Sequence, residues 1–91
     1  MNLSIEISMY PLQDGYKPKI KDFLNDLNDR ANEIGDIEIR SSNMSTRVFG
    51  EYGAVTQILD LAMQRSMNLY GKIVFVVKYL EGDARKLSGY D

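Results

Sequence analysis

From Leu3 to Tyr10 apolar and polar residues alternate strictly, Leu3, Ile5, Ile7 and Met9 against Ser4, Glu6, Ser8 and Tyr10. A period of two predicts a strand with one buried face. Pro11 closes it, Gln13-Asp14-Gly15 supplies a turn, and Pro18 suits the first turn of a helix, where its missing N–H costs nothing. Ile20, Phe23, Leu24, Leu27, Ala31 and Ile34 then recur at steps of three and four, which predicts an amphipathic helix over 17–34. Gly35 is placed as its left-handed C-terminal residue. Residues 36–41 alternate again, and a second extended piece, 43–49, follows after almost no linker, so the two are expected to form a hairpin. Gly50 is read as breaking that strand. Val55, Ile58, Leu59, Ala62 and Ser66 trace the inner stripe of a second helix over about 51–68, widened by Leu61, Met63 and Met67. The β-branched and aromatic run 72–80 is a final strand.

The order β-α-β-β-α-β, with right-handed crossovers, folds into a ferredoxin-like α+β sandwich. Its antiparallel four-stranded sheet has spatial order 4-1-3-2, with both helices on one face. Residues 1–80 are expected to form a single domain and residues 81–91 a loose polar tail, from which Leu87 and Tyr90 can dock on a neighbour. The other face of the sheet is left open, and function is expected there. Helix cover falls to the apolar side of strand one, so Ser4, Glu6, Ser8 and Tyr10 point to the open face. Glu38 and Arg40 join them from strand two. In strand three the set Ser45, Arg47 and Phe49 is expected to face the open side and Met44, Thr46 and Val48 the helices; a slip of one residue would exchange them. The last strand is apolar on both sides, since Val74 and Val76 alternate with Ile73, Phe75 and Val77. Such an edge asks for cover, and self-association between identical subunits provides it.

Composition narrows the chemistry. None of the 91 residues is Cys or His, which removes the thiolate nucleophile, the usual neutral-pH base and the commonest transition-metal ligands. An enzyme is therefore not expected, and no cofactor is called for. Thirteen acidic against eleven basic residues argue against a nucleic-acid partner. The apolar run 73–77 is far too short to span a bilayer, which takes about 20 residues, so no membrane partner is expected. The amino terminus has no basic, then apolar, leader pattern, and a cytoplasmic protein is expected.

At Asn43-Met44-Ser45-Thr46-Arg47-Val48-Phe49-Gly50-Glu51 the sequence resembles the Met-(Ser/Gly)-Thr-x-x-x-Gly-(Glu/Asp) signature of the YkoF-like proteins that bind thiamine or hydroxymethylpyrimidine, and of the related MTH1187-like small thiamine-binding proteins. The opening strand, Ile5-Glu6-Ile7-Ser8-Met9-Tyr10-Pro11-Leu12, is similar to theirs, and element order agrees over residues 3–80. The resemblance implies a non-enzymatic binder of the pyrimidine half of thiamine, with a ferredoxin-like fold and assembly into a homodimer or homotetramer. The clearest thiamine binders of the group carry the domain twice in one chain, so a homodimer would have to reproduce the tandem.

An aminopyrimidine has a flat apolar face, a donating amine and accepting ring nitrogens. Tyr10, Phe49 and Met44 can supply a slot for it. Ser8, Asn43, Ser45 and Thr46 can supply hydroxyl or amide contacts. Glu6 or Glu51 can accept from the amine, and Arg40, Arg47 and Lys78 can meet a phosphate if the ligand carries one. Plainer roles stand beside these. Glu51 can simply favour the positive end of the second helix, and Arg40 and Arg47 can pair with Glu38 and Glu6 across strands. Arg47 also departs from the apolar residue expected inside the signature. The rival to ligand binding is a structural or regulatory oligomerisation module whose open face is only an interface. An RNA-recognition domain would need a basic aromatic face, an acylphosphatase an Arg after strand one, and a small haem or quinone monooxygenase a His, none of which this sequence offers.

Overall fold

The computed structural model describes residues 1–42 and 45–86. Asn43, Met44, Leu87 and Tyr90 lie outside the described residues. The elements are β1 (Asn2–Pro11), α1 (Tyr16–Ile34), β2 (Glu38–Ser41), β3 (Thr46–Glu51), α2 (Tyr52–Tyr70), β4 (Ile73–Glu81) and a short 3-10 turn, Ala84–Lys86. The sheet is antiparallel, with order β2-β3-β1-β4. This is the ferredoxin-like βαββαβ sandwich that the periodicity predicts.

Leu3, Ile5 and Ile7 of β1 and Val48 of β3 pack under Phe23, Leu27 and Ala31 of α1 and Val55, Ile58, Leu59 and Ala62 of α2. Each large side chain buried this way contributes about 1.5–3 kcal/mol by leaving water. Phe75 of β4 joins the layer against Phe23, ring centres 5.1 Å apart. Ile34, at the end of the predicted α1 stripe, is exposed.

Two boundaries differ from the periodic reading. Residues 36 and 37 are not strand: Gly35 and Asp36 both have positive φ, 85° and 58°, and together turn the chain out of α1 before β2 begins. Gly50 does not break β3 but lies inside it, opposite Leu3. A Cβ there would stand 3.0 Å from Val55 Cγ2 and 3.1 Å from Ile37 Cγ1, so this glycine lets α2 and the segment before β2 close on the strand.

After β4 the chain returns to the sheet. Gly82, at φ 95°, turns the chain back over the open face. There Ser4 Oγ donates to the Gly82 carbonyl at 2.9 Å and accepts from the Ala84 amide at 2.8 Å. Described residues up to 86 thus belong to the packed unit. Among the described residues no helix is long and apolar enough to cross a membrane.

Candidate ligand-binding face

Strand register arranges the open face in rows that run across the sheet. One row is Glu38, Phe49, Ser4 and Leu80; the next is Arg40, Arg47, Glu6 and Lys78; beyond it Ser8 stands beside Val76 and Tyr10 beside Val74. The register is the one that puts Arg47 and Phe49 on the open side. Alternation fixes this once Val48 is drawn into the core with Ile5.

The first row is covered. Phe49 is only 3% exposed, because the guanidinium of Arg40 lies 5.3 Å and that of Arg85 5.2 Å from its ring centre. Cation–π contact of this kind holds the ring and both arginines together. Glu38 pairs with Arg40 and, at 2.8 Å, with Arg85, which also bonds Asp83 at 2.7 Å. Arg40 first, and Arg85 second, hold the Glu38 carboxyl below the usual glutamate range, while Asp83 first, and Glu38 second, push the Arg85 guanidinium up. The expected aromatic slot at Phe49 is therefore mostly filled by the protein's own cations. Arg85 was not singled out by the sequence, since it follows the last periodic element and only the turn at Gly82 brings it to Phe49.

Over the second row lies an open cavity of about 340 Å³, bounded by Ser4, Glu6, Arg47, Lys78, Leu80 and Ala84, with the edge of Phe49. Glu6 is its acceptor. One carboxylate oxygen takes the Ser45 hydroxyl at 3.2 Å, and the other stands 3.3 Å from Lys78 Nζ.

A second cavity of about 180 Å³ sits where β3 has ended and β1 continues, over Ser8, Met9 and Tyr10. Ser42, Ser45 and Thr46 give it hydroxyls, and Ile7, Ile20, Phe23 and Leu24 an apolar floor. Ser42 and Ser45 hold the hairpin tip, the Ser42 amide donating to the Ser45 carbonyl at 2.9 Å. Thr46 faces the helix side, 6% exposed, with its Oγ1 3.2 Å from Ser41 Oγ. Tyr10 is 53% exposed and open for stacking.

The fold thus gathers Glu6, Ser8, Tyr10, Ser45 and Arg47 along one stretch of β1 and β3, with Thr46 behind them and Phe49 mostly covered. Glu51 is elsewhere. It stands opposite Asn2, six residues and about 20 Å along β1 from Ser8, and its carboxylate caps α2 by accepting from the Gly53 amide at 2.6 Å. Asn43 and Met44 flank the second cavity in sequence but are outside the described residues. Among the described residues no group of three or more acidic side chains is placed to hold a metal ion.

No family model and no curated protein matches the chain. Solved structures do. A protein from Streptococcus pneumoniae superposes with a TM-score of 0.72 at 17% identity, over 96% of this chain and 93% of its own. A putative thiamine biosynthesis/salvage protein from Thermotoga maritima gives 0.68 at 12% identity, with both chains fully covered. A domain of unknown function, DUF77, from Bacillus cereus gives 0.68 at 12% identity over 100% of this chain and 91% of its own. At such identities the likeness is one of fold. The chain shares its ferredoxin-like architecture, end to end, with a protein named for thiamine biosynthesis or salvage and with a domain of unknown function.

Proposed function

We propose that this protein binds thiamine, or its hydroxymethylpyrimidine part, in a pocket on the open sheet face where copies of the chain meet, and that it does so without catalysis. The observation that carries this reading is the Ser45–Glu6 hydrogen bond at 3.2 Å, between a hydroxyl that lines the second cavity and a carboxylate that lines the first. On one side of it lie hydroxyls, the Tyr10 ring and an apolar floor; on the other, a carboxylate with lone pairs to spare. An aminopyrimidine needs that combination. Its ring seeks an apolar or aromatic surface, its amine an acceptor, and its nitrogens donors. The Thermotoga neighbour's name points the same way, and so does the resemblance of residues 43–51 to the thiamine-binding signature.

Assembly follows from the rest of the face. Val74 and Val76 are 44% and 46% exposed on β4, whose outer edge pairs with no strand among the described residues, and Tyr10 beside Val74 on β1 is 53% exposed, so a second copy, in a dimer or tetramer, gains by covering them. The partner would also close cavities that are open in the single chain. A cytoplasmic carrier or buffer of the vitamin is the role that fits a binder without Cys or His.

Isothermal titration of the purified oligomer with thiamine and with hydroxymethylpyrimidine tests this reading. Saturable heat near one ligand per chain or per dimer is expected, and Ser45→Ala should weaken it about tenfold, the effect of about 1.4 kcal/mol. A folded oligomer that gives no heat with either compound would favour a bare oligomerisation module, whose exposed apolar strand serves contact alone.

A further inference from the structure

Phe49 points to the open face of the sheet yet is only 3% exposed, and part of its cover is a group that the sheet does not supply. The Arg85 guanidinium, delivered by the turn at Gly82, stands 5.2 Å from the ring centre and bonds the Glu38 carboxylate at 2.8 Å. A flat cation held by an aromatic ring and a carboxylate is also how a protein takes a flat organic cation from solution. Arg40, the other cation on this ring, is anchored in β2. Arg85 is tied less firmly. Its side chain is 30% exposed, on a long stem outside the sheet, and ion pairs so exposed are individually weak. Asp83, which it meets at 2.7 Å, belongs to the same turn, so Arg85 keeps a carboxylate neighbour when it swings off Glu38. The place is also continuous with the pocket. Phe49 is the diagonal neighbour of Glu6 across the β1–β3 ladder, about 7–8 Å away, and both line one cavity, with Ala84 of the turn on its wall.

We infer that Phe49 and Glu38 form a second subsite, for a flat organic cation, and that Arg85 occupies it until the cationic ring of the ligand takes its place. The inference rests on the pyrimidine-binding reading above and goes on to say where the other half of the ligand lies. With its pyrimidine at Ser45 and Glu6, thiamine carries a positively charged thiazolium ring one methylene further on, which matches the step from Glu6 to Phe49. The exchange costs little. One cation replaces another beside Glu38, so the charge there is unchanged, and Phe49 keeps a cation over its ring. Glu38 keeps Arg40 throughout. When the ligand leaves, Arg85 returns, and Phe49 is not left bare to water. Hydroxymethylpyrimidine has neither the second ring nor the charge and gives Arg85 no cause to move. The resident guanidinium therefore lowers the apparent affinity for thiamine alone, in proportion to how seldom the subsite stands open.

The test titrates thiamine and hydroxymethylpyrimidine by calorimetry into the wild-type protein and into Arg85→Gln, the variant first checked for an unchanged thermal melt. Removing the resident cation should tighten thiamine about two- to fivefold, the scale of an exposed ion pair, and leave the hydroxymethylpyrimidine affinity where it was. A second measurement needs no variant and keeps the test open if Arg85→Gln fails to fold. In the wild type, the Arg85 Nε–H resonance should move to the position of a free arginine as thiamine saturates and stay in place with hydroxymethylpyrimidine. Thiamine binding that leaves the Arg85 resonance unmoved would overturn the inference and leave the pyrimidine-binding reading standing. A gain in Arg85→Gln that is absent, or shared equally by the two compounds, would do the same. Absence of binding by either compound would overturn the reading and the inference together.

Discussion

Ser4 in the first strand holds Ala84, eighty residues later, by accepting its amide hydrogen at 2.8 Å. The same hydroxyl donates to the Gly82 carbonyl, so one side chain pins both sides of the turn that follows β4. The turn delivers Arg85 to Phe49 and Glu38, and thereby decides how much of the open face remains for anything else. Ser4→Ala should cost about 1–2 kcal/mol in urea unfolding, since the segment loses its anchor and a part-buried amide its acceptor. It should also speed tryptic cleavage after Arg85. Wild-type cleavage kinetics would mean that the Phe49 and Glu38 contacts hold the segment unaided.

Glycines 50 and 53 lie three residues apart and should respond oppositely to alanine. At Gly50 the added methyl meets Val55 and Ile37 side chains and, at 3.3 Å, the Asp36 carbonyl, which are packed core and backbone. Overpacking there should cost about 1–3 kcal/mol. At Gly53 the nearest atom is Glu51 Oε1, 3.1 Å away at the end of an exposed side chain, which can give by a few tenths of an ångström while its other oxygen keeps the cap. Gly53→Ala should be neutral or stabilising by up to about 1 kcal/mol, through a less flexible unfolded chain. Paired urea titrations settle it; equal losses at both sites would refute the close-packing account of Gly50.

Ser66 sits fully buried on the inner stripe of α2, and its hydroxyl has no hydrogen-bond partner among the described residues. Burial without a partner is unfavourable, and alanine is also the better helix former. Ser66→Ala is expected to raise stability by about 0.5–1 kcal/mol, measured as a later denaturation midpoint at constant slope. A loss instead would show that the hydroxyl has an unseen partner in solution.

The Glu38 carboxyl is held low by Arg40 and then Arg85, so the folded protein binds its proton less readily than the unfolded chain does. The sign follows from that. Its stabilising contribution is complete above the ordinary glutamate range and is lost as pH falls through the lowered value. Because the group is exposed, the sharper readout is its own titration by NMR. Arg85→Gln should move the midpoint upward, toward the ordinary range. An unmoved midpoint would assign the whole effect to Arg40.

Val76 faces the open side of β4 beside Ser8, nearly half exposed. If copies of the chain meet there, Val76→Glu places a charge in the contact, and sedimentation should show a smaller species than the wild type at the same concentration. An unchanged assembly would move the interface elsewhere.

The hydrophobic pattern carries the order of the elements and their faces, though not the ends of β2 and β3. Leu3-Ile5-Ile7 against Ser4-Glu6-Ser8 can be read without coordinates because side chains alternate along any strand, and the α2 stripe from Val55 to Ser66 because 3.6 residues make a turn. Element order then selected the topology, and with Val48 assigned to the core, Arg47 and Phe49 had to face outward. Tertiary structure alone decided what each outward residue meets. Phe49 and Tyr10 look alike in the pattern, yet one is closed off by Arg40 and Arg85 and the other is open, because Gly82 turns the chain toward the first and away from the second. Gly50 and Glu51 read as the end of a motif, yet one makes room for α2 and the other caps it. Contacts such as Ser4 with Ala84 or Glu6 with Ser45 span 80 and 39 residues. Local periodicity carries no signal across such separations; they exist because the sheet brings distant strands to 4.7–4.9 Å spacing and the core fixes their register.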